Sequence, residues 1–215
     1  MGPRRCDLVW IMNGISELYQ EVAAYGNQPA EWVDKMVHEV PDAPVFDRVE
    51  YLTKASRNKV ILDLGASGSM SETLREVATV YHGVDIMPSD KPNYYQMDLE
   101  QADALPEVDG LQIIVGGEII EHLSNAGRFL DLLHGAGCQV ILTTPNAFST
   151  GGDGFLKRGI EAVNGEHVAW YSYHTLKTLV ERHGFNILLW AWYNGKPMTA
   201  EGLIFHMEPV TNGKH

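Results

Sequence analysis

The spacing of apolar residues along the chain changes at Lys59. Before it, apolar residues recur every three or four positions, which is the pattern of amphipathic helices. These positions predict three helices, through Ile11, Ile15, Leu18 and Val22, through Trp32, Val33, Met36 and Val37, and through Val45, Val49 and Leu52. Residues 1–58 are therefore predicted to form a helical lid, and residues 59–215 the main domain.

After Lys59, short apolar runs alternate with helical segments. The runs predict strands at Val60–Leu64, Val80–Asp85, Asn93–Met97, Leu111–Val115 and Gln139–Thr143. The first of the intervening helices is predicted to begin at a capping box formed by Ser69 and Glu72. Continuous apolar strands joined by helices predict a parallel α/β sheet that is covered on both faces.

The last third of the chain departs from this alternation. Ser172 is predicted to cap a helix that ends at Gly184, and two strands follow, Ile187–Tyr193 and Gly202–Met207. Asn194-Gly195 between them is a hairpin signal. The sheet is therefore predicted to end in an antiparallel pair.

Composition narrows the class of protein. The chain has 215 residues, of which 45% are hydrophobic and 20% charged, which is typical of a globular domain. The net charge of −12 repels phosphate backbones and argues against nucleic acid as a partner. No run approaches the length of a membrane span, and Cys6 and Cys138 show no disulfide pattern. These features predict a cytoplasmic protein without membrane contact, as a monomer or homodimer.

The segment Val60–Gly68 reads VILDLGASG and predicts a strand followed by a ligand-binding turn. Ligands bind open parallel sheets at the carboxyl ends of the strands, where glycines let the backbone approach closely. Only Gly65 and Gly68 are present, and Met70 stands near where the dinucleotide-binding pattern needs its last glycine. A nicotinamide oxidoreductase remains an alternative, although it would carry a fuller glycine pattern.

Two further carboxylates follow at strand ends. Asp85 ends the second main-domain strand, 22 residues after Asp63, and can accept hydrogen bonds from both hydroxyls of a ribose. Asp98 follows the third strand and could accept from the amine of an adenine, with Leu99 against the ring. The alternative is that Asp63 caps a strand end and Asp98 is a turn residue.

The segments LDLGASG, GVD, MDLE and GGEIIEHL, in this order, resemble the motifs of class I S-adenosylmethionine (SAM)-dependent methyltransferases over residues 59–207. Ser67 and Ser69 stand where that family usually has glycine. The resemblance implies a Rossmann-like, seven-stranded, mostly parallel sheet with an antiparallel last strand and helices on both faces. It also implies SAM as cofactor, bound by Asp63, Gly65, Ala66, Gly68, Asp85, Ile86, Asp98, Leu99 and Glu118.

Glu118, Glu121 and His122 are spaced so that they would share one face of a helix. Two carboxylates and an imidazole could hold a divalent cation such as Mg²⁺ or Mn²⁺, or place a general base beside the transferred methyl group. Alternatively, Glu118 lines the cofactor pocket, Glu121 neutralises a helix N-terminus and His122 packs.

His167 is the second candidate for chemistry. The segment EHVAWYSYHTLKTLVERHGF, preceded by TTPNAFS, resembles a bacterial subgroup linked to O-methylation of sugars, cell-envelope components and natural products. The resemblance makes His167, with His122, the candidate catalytic or acceptor-orienting residue. The alternative is a loop histidine bonded to backbone.

A second resemblance involves the same residues. Glu118, Glu121, His122 and His167 together are similar to the metal set of small-RNA 3′-end 2′-O-methyltransferases, and the first three also to ubiquinone-biosynthesis O-methyltransferases. The acidic charge argues against RNA. We therefore predict a SAM-dependent methyltransferase that acts on oxygen of a small-molecule or carbohydrate-like acceptor. The alternatives are the metal-dependent RNA enzyme and a non-catalytic SAM- or nucleotide-binding partner subunit.

Overall fold

The computed structural model describes residues 38–149 and 163–210. The elements below belong to one compact unit that begins at Asp42. The first two predicted N-terminal helices lie outside the described residues, so the lid assigned to residues 1–58 stays a prediction.

Eight strands and four α-helices make up the described part of the chain. The strands are β1 Val45–Phe46, β2 Val60–Leu64, β3 Val80–Asp85, β4 Tyr94–Gln96, β5 Ile113–Gly117, β6 Gln139–Pro145, β7 Phe185–Tyr193 and β8 Gly202–Pro209. The helices are α1 Arg48–Ser56, α2 Ser69–Val77, α3 Ala126–Gly135 and α4 Tyr173–Arg182, with a short 3₁₀ helix at Ile120–His122.

All eight strands form one sheet in the order β1-β7-β8-β6-β5-β2-β3-β4. Only β8 runs antiparallel to its neighbours, β6 and β7. The other pairings are parallel, so β2, β3, β5 and β6 all end at the same edge of the sheet. The predicted α/β sheet with an antiparallel last strand is thus confirmed, with one additional strand.

The additional strand is β1, which was predicted as part of a helix through Val45. Val45 and Phe46 instead pair with the end of β7, at Trp192 and Tyr193. The helix begins only after Asp47, whose side chain caps it by accepting from the Glu50 amide at 2.8 Å. Two residues are too few to show an alternating pattern, which is why the sequence does not reveal the strand.

Burial explains why the central strands are mostly apolar. Leu52 of α1 and Leu74 of α2 pack against Ile61, Ile113 and Ile141 of the sheet, and all five are fully buried. Fully burying such a side chain contributes about 1.5–3 kcal/mol. Helices α1 and α2 therefore hold the central strands in place, and the carboxyl ends of these strands form a stable edge of the sheet.

One cap differs from the prediction. Helix α2 begins at Ser69 after the N-cap Gly68, and no side chain caps it, so the capping box of Ser69 and Glu72 is wrong. By contrast, Ser172 caps α4 as predicted and forms a capping box with Thr175. Among the helices within the described ranges, none combines the length and apolar character needed to cross a bilayer.

Candidate active site

The turn after β2 follows a path that glycine makes possible. Gly65 has φ +79°, and the amides of Gly65 and Ala66 both donate to the carbonyl of Val84 on β3, at 2.9 and 3.0 Å. Ala66 is buried, whereas a Cβ at Gly68 would meet no atom within 4 Å. The turn therefore presents bare backbone between the ends of two parallel strands, beside the start of α2.

Asp63 lies beneath this turn. It is buried, and its Oδ2 accepts a 2.6 Å hydrogen bond from the hydroxyl of Tyr81. Burial outweighs the hydrogen bonds from Ser71 and Tyr81, which lower the pKa of Asp63, and raises this pKa to about 6. In this arrangement Asp63 ties β2, β3 and α2 together; its assignment to cofactor binding stays a prediction.

Asp85 ends β3 at the same edge. Its side chain is buried, and Oδ1 accepts from the amide of Met87 at 2.8 Å, which sets the direction of the carboxylate. Ile86 and Met87 beside it are exposed. A carboxylate held by backbone next to exposed apolar side chains suits a ligand that combines hydroxyl groups with a flat ring.

Asp98 lies after β4, in a loop held by an arginine that the sequence analysis missed. Asp98 accepts from the amide of Glu100 at 2.9 Å, and Leu99 is buried. Arg128 of α3 donates to the carbonyls of Glu100 and Ala102 at 2.7 and 2.8 Å. The guanidinium fork thus fixes the loop that carries both predicted adenine contacts. Nothing in the spacing of Arg128 indicates this role.

Glu118 lies outside any helix, so the prediction that Glu118, Glu121 and His122 share a helical face is wrong. Its φ of +55° is left-handed, which is rare for a residue with a side chain. Oε1 accepts from the hydroxyls of Thr143 at 3.0 Å and Tyr193 at 2.9 Å.

Arg48 is the third partner of Glu118. It opens α1, and its guanidinium lies 3.1 Å from Oε1 of Glu118 and 5.4 Å from the ring centre of Tyr193. Arg48 and Tyr193 were both missed in the sequence, because each reaches Glu118 from a distant element. Three donors from α1, β6 and β7 converge on one carboxylate oxygen.

Glu121 lies in the short 3₁₀ helix and is 1% exposed. Its Oε2 accepts from the hydroxyl of Thr144 at 3.0 Å, while its buried Oε1 has no hydrogen-bond partner among the described residues. Burial and the nearby charge of Glu118 together raise the pKa of Glu121 to about 7. A buried oxygen without a partner needs a proton or a cation.

His122 and His167 meet beside Glu121. Their rings contact edge to face, with centres 4.6 Å apart. The backbone carbonyl of Glu121 accepts from the amides of Val168 and Ala169, at 2.9 and 3.2 Å, and so ties the segment that carries His167 to the 3₁₀ helix.

Ligand atoms of Glu121, His122 and His167 all lie within 4.8 Å of one another, a spacing that could hold a metal ion. Glu118 is not a member of this group. The structure thus brings together three of the four residues predicted as metal ligands, although 45 positions separate the two histidines in sequence. We call Glu121, His122 and His167 the cation centre below.

A family model described as a methyltransferase domain matches residues 36–189, which is most of the chain. The chain belongs to this methyltransferase family. Solved methyltransferases with a similar fold hold S-adenosylmethionine or S-adenosyl-L-homocysteine. No curated protein sequence matches the chain at a significant level.

Solved methyltransferases share the fold at low sequence identity. The small RNA methyltransferase HEN1 superposes with a TM-score of 0.61 at 18% identity, over 82% of this chain and 27% of that one, so this methyltransferase spans only a small part of HEN1. An S-adenosylmethionine-dependent methyltransferase from Mesorhizobium loti superposes with a TM-score of 0.53 at 15% identity, over 74% of this chain and 96% of that one. The N-methyltransferase NodS from Bradyrhizobium japonicum WM9 was solved with S-adenosyl-L-homocysteine. It superposes with a TM-score of 0.54 at 14% identity, over 76% of this chain and 85% of that one.

The residues at this edge of the sheet fit S-adenosylmethionine. Gly68 leaves open space where a side chain would stand, Gly65 gives the turn its positive φ, and the buried carboxylate of Asp85 is a suitable acceptor for ribose hydroxyls. They also fit a divalent cation, because the cation centre offers one oxygen and two nitrogen ligands, and Oε1 of Glu121 has no hydrogen-bond partner among the described residues.

Proposed function

We propose that this methyltransferase transfers the methyl group to oxygen of a small, sugar-like acceptor that binds beside the cation centre. The observation that carries the proposal is the cation centre itself, at the sheet edge where Asp85 and the Gly65 turn also lie. SAM, when bound, supplies a methyl group on a sulfonium sulfur that is open to attack by an oxygen. The protein then has to position that oxygen and manage its proton.

Cofactor binding is proposed for the residues at the ends of β2, β3 and β4. Asp85 would accept hydrogen bonds from the ribose hydroxyls, with the exposed Ile86 beside it. Asp98 and Leu99 would contact the adenine, in the loop that Arg128 holds. The bare backbone of Gly65, Ala66 and Gly68 completes the set; Asp63 supports the turn from beneath.

The cation centre is proposed to act on the acceptor. Glu121, His122 and His167 would hold Mg²⁺ or Mn²⁺, which would lower the pKa of an acceptor hydroxyl as a Lewis acid. Burial and the neighbouring His122 lower the pKa of His167, so its imidazole is neutral at neutral pH. A neutral imidazole is the form that binds a metal or accepts a proton, so His167 suits both roles.

A sugar-like acceptor is supported by the segment that follows His167. Val168 and Trp170 are 59% and 41% exposed, and Phe148, after β6, is 64% exposed. The Ala147 amide donates to the carbonyl of Tyr171 at 2.9 Å, so these segments adjoin. Exposed aromatic rings beside a polar centre suit a molecule with one apolar face and several hydroxyls.

A methyl-transfer assay tests the proposal. Labelled SAM would be supplied with a panel of polyhydroxylated acceptors, with and without a chelator and added Mn²⁺. We expect transfer that falls at least about 30-fold with the chelator and in Glu121→Gln, because a lost ligand removes several kcal/mol of binding. The control Glu107→Gln changes an exposed carboxylate and should match the native chain.

The outcomes separate the alternatives. Transfer that ignores the chelator but is lost in His167→Ala would favour a general base over a cation. No transfer to any acceptor, together with saturable SAM binding, would favour a non-catalytic SAM-binding subunit.

An RNA 3′ end is the second candidate acceptor, supported by the HEN1 superposition and the shared four-residue pattern. A terminal ribose also offers neighbouring hydroxyls to a cation. The net charge of −12 disfavours it, because binding a phosphate backbone requires positive surface. Adding short RNA duplexes to the same assay decides between the two acceptors.

A further inference from the structure

Arg48 and Glu118 form an ion pair at the rim of the cation centre. The guanidinium lies 3.1 Å from Oε1 of Glu118, and the two side chains are 27% and 29% exposed. Arg48 also lies over the ring of Tyr193, which shields it on one side. A partly shielded pair with hydrogen-bonding neighbours is stronger than an exposed surface pair.

Within the described part of the chain, the donors to the Glu118 side chain all act on the same oxygen. Thr143 of β6, Tyr193 of β7 and Arg48 of α1 each contact Oε1. The left-handed backbone of Glu118 costs on the order of 1–3 kcal/mol and persists only where surrounding contacts support it. Contacts from α1, β6 and β7 therefore hold the side chain of Glu118 in place together.

Glu118 is close to the cation centre without being part of it. Thr143 donates to Oε1 of Glu118 and the next residue, Thr144, donates to Oε2 of Glu121, each at 3.0 Å, so neighbouring positions of β6 hold the two carboxylates. Yet the oxygens of Glu118 do not join the ligand atoms of the cation centre. The carboxylate that could be the fourth ligand is bonded to a positive side chain instead.

We propose that Arg48 holds Glu118 away from the cation centre and so limits the centre to three protein ligands, Glu121, His122 and His167. This inference rests on the cation centre of the proposed function. Three protein ligands leave coordination positions for oxygens of the acceptor, and one carboxylate instead of two lowers the affinity for the free cation. Arg48 is thus a positioning residue that acts through Glu118.

The test measures Mn²⁺ affinity of the full chain by calorimetry and by the loss of the free-ion electron paramagnetic resonance signal, without SAM or acceptor. We expect Glu121→Gln to weaken binding at least about 30-fold and Glu118→Gln to change it less than about threefold. Arg48→Met should tighten binding by about tenfold, because the released carboxylate can join the ion.

A double variant identifies the cause of that gain. If Arg48→Met acts by releasing Glu118, then Arg48→Met with Glu118→Gln should bind no tighter than Glu118→Gln alone. If the gain persists in the double variant, only the removed charge matters and the inference is overturned. Arg57→Met, at the exposed end of α1, is the matched control for loss of one positive charge and should bind like the native chain.

Two other outcomes would overturn the inference while leaving the proposed function intact. One is a Glu118→Gln variant that binds Mn²⁺ as weakly as Glu121→Gln, since Glu118 would then already be a ligand. The other is an Arg48→Met variant whose affinity is unchanged or lower. The comparison of Mn²⁺ affinity between Glu118→Gln and Glu121→Gln needs no Arg48 variant, so it remains valid even if Arg48→Met does not fold. If the native chain binds no Mn²⁺, the proposal that Glu121, His122 and His167 hold a cation is itself refuted.

Discussion

The hydroxyl of Tyr193 donates a 2.9 Å hydrogen bond to Oε1 of Glu118, although 75 residues separate the two in sequence. Tyr193 ends β7 and Glu118 follows β5, so the antiparallel hairpin of β7 and β8 reaches across β6 to the residue that follows β5. Burial and the charge of Glu118 raise the pKa of Tyr193, so the hydroxyl stays protonated and remains a donor. The hairpin therefore supports the site as well as the sheet.

Gly202→Ala should disturb this contact. Gly202 pairs with Tyr193 across the hairpin, and an added Cβ would overlap the tyrosine ring. We expect a loss of about 1–3 kcal/mol in the free energy of unfolding, measured by urea denaturation, because the buried ring has to move. Gly135→Ala, where a Cβ meets nothing within 4 Å, is the control and should be close to native. Native stability of Gly202→Ala would contradict the prediction.

Asp85→Ala should weaken cofactor binding. Each hydrogen bond to a charged group contributes about 1.5–3 kcal/mol, so loss of the ribose contacts should lower the affinity for S-adenosyl-L-homocysteine at least about 30-fold by calorimetry. The exposed Asp90, five residues further along the chain, provides the control Asp90→Ala. Equal affinities for the native chain and Asp85→Ala would refute the proposed cofactor site.

Glu121 should make the metal-free protein less stable as the pH rises. Its pKa is about 7 in the folded chain, above the value of roughly 4.3 for an unfolded glutamate, so between these values the folded state binds more protons. Native stability therefore falls through this window, whereas Glu121→Gln carries no charge there. We expect the advantage of the variant to grow by up to about 3 kcal/mol from about pH 5 to pH 8, with a chelator present.

Parallel stability curves for the native chain and Glu121→Gln would contradict that expectation. Added Mn²⁺ should oppose the effect, because the ion binds the ionised carboxylate and replaces its proton. Mn²⁺ affinity of the native chain should accordingly rise with pH over the same window.

Tyr81→Phe should show the opposite pH dependence. Its hydroxyl donates to buried Asp63, whose pKa is about 6, so it stabilises the ionised carboxylate. Removing the donor should cost about 1.5–3 kcal/mol at pH 8, and less at pH 5, where Asp63 is protonated. Tyr94→Phe is the control, since its hydroxyl donates to the carbonyl of Met87, which does not titrate. A pH-independent loss in Tyr81→Phe would contradict this account.

The local elements of the fold were largely readable from the sequence. The bounds of β2 and β3 match the predicted Val60–Leu64 and Val80–Asp85, because strands covered on both faces are rich in apolar residues and so stand out in the sequence. The same apolar pattern predicted that Asp85 lies at the carboxyl end of β3. Where burial does not constrain the residue type, as in the short strand β1, the pattern carried no signal.

Residue types suited to the site were also visible in the sequence, since carboxylates and imidazoles at strand ends are the groups that bind cofactors and cations. Only the tertiary structure decided which of them come together. His167 reaches His122 because backbone bonds tie its segment to Glu121. Glu118 is turned to a different set of partners, because Arg48, Thr143 and Tyr193 converge on it from three elements. Such convergence depends on the packing of distant segments, which no local spacing encodes.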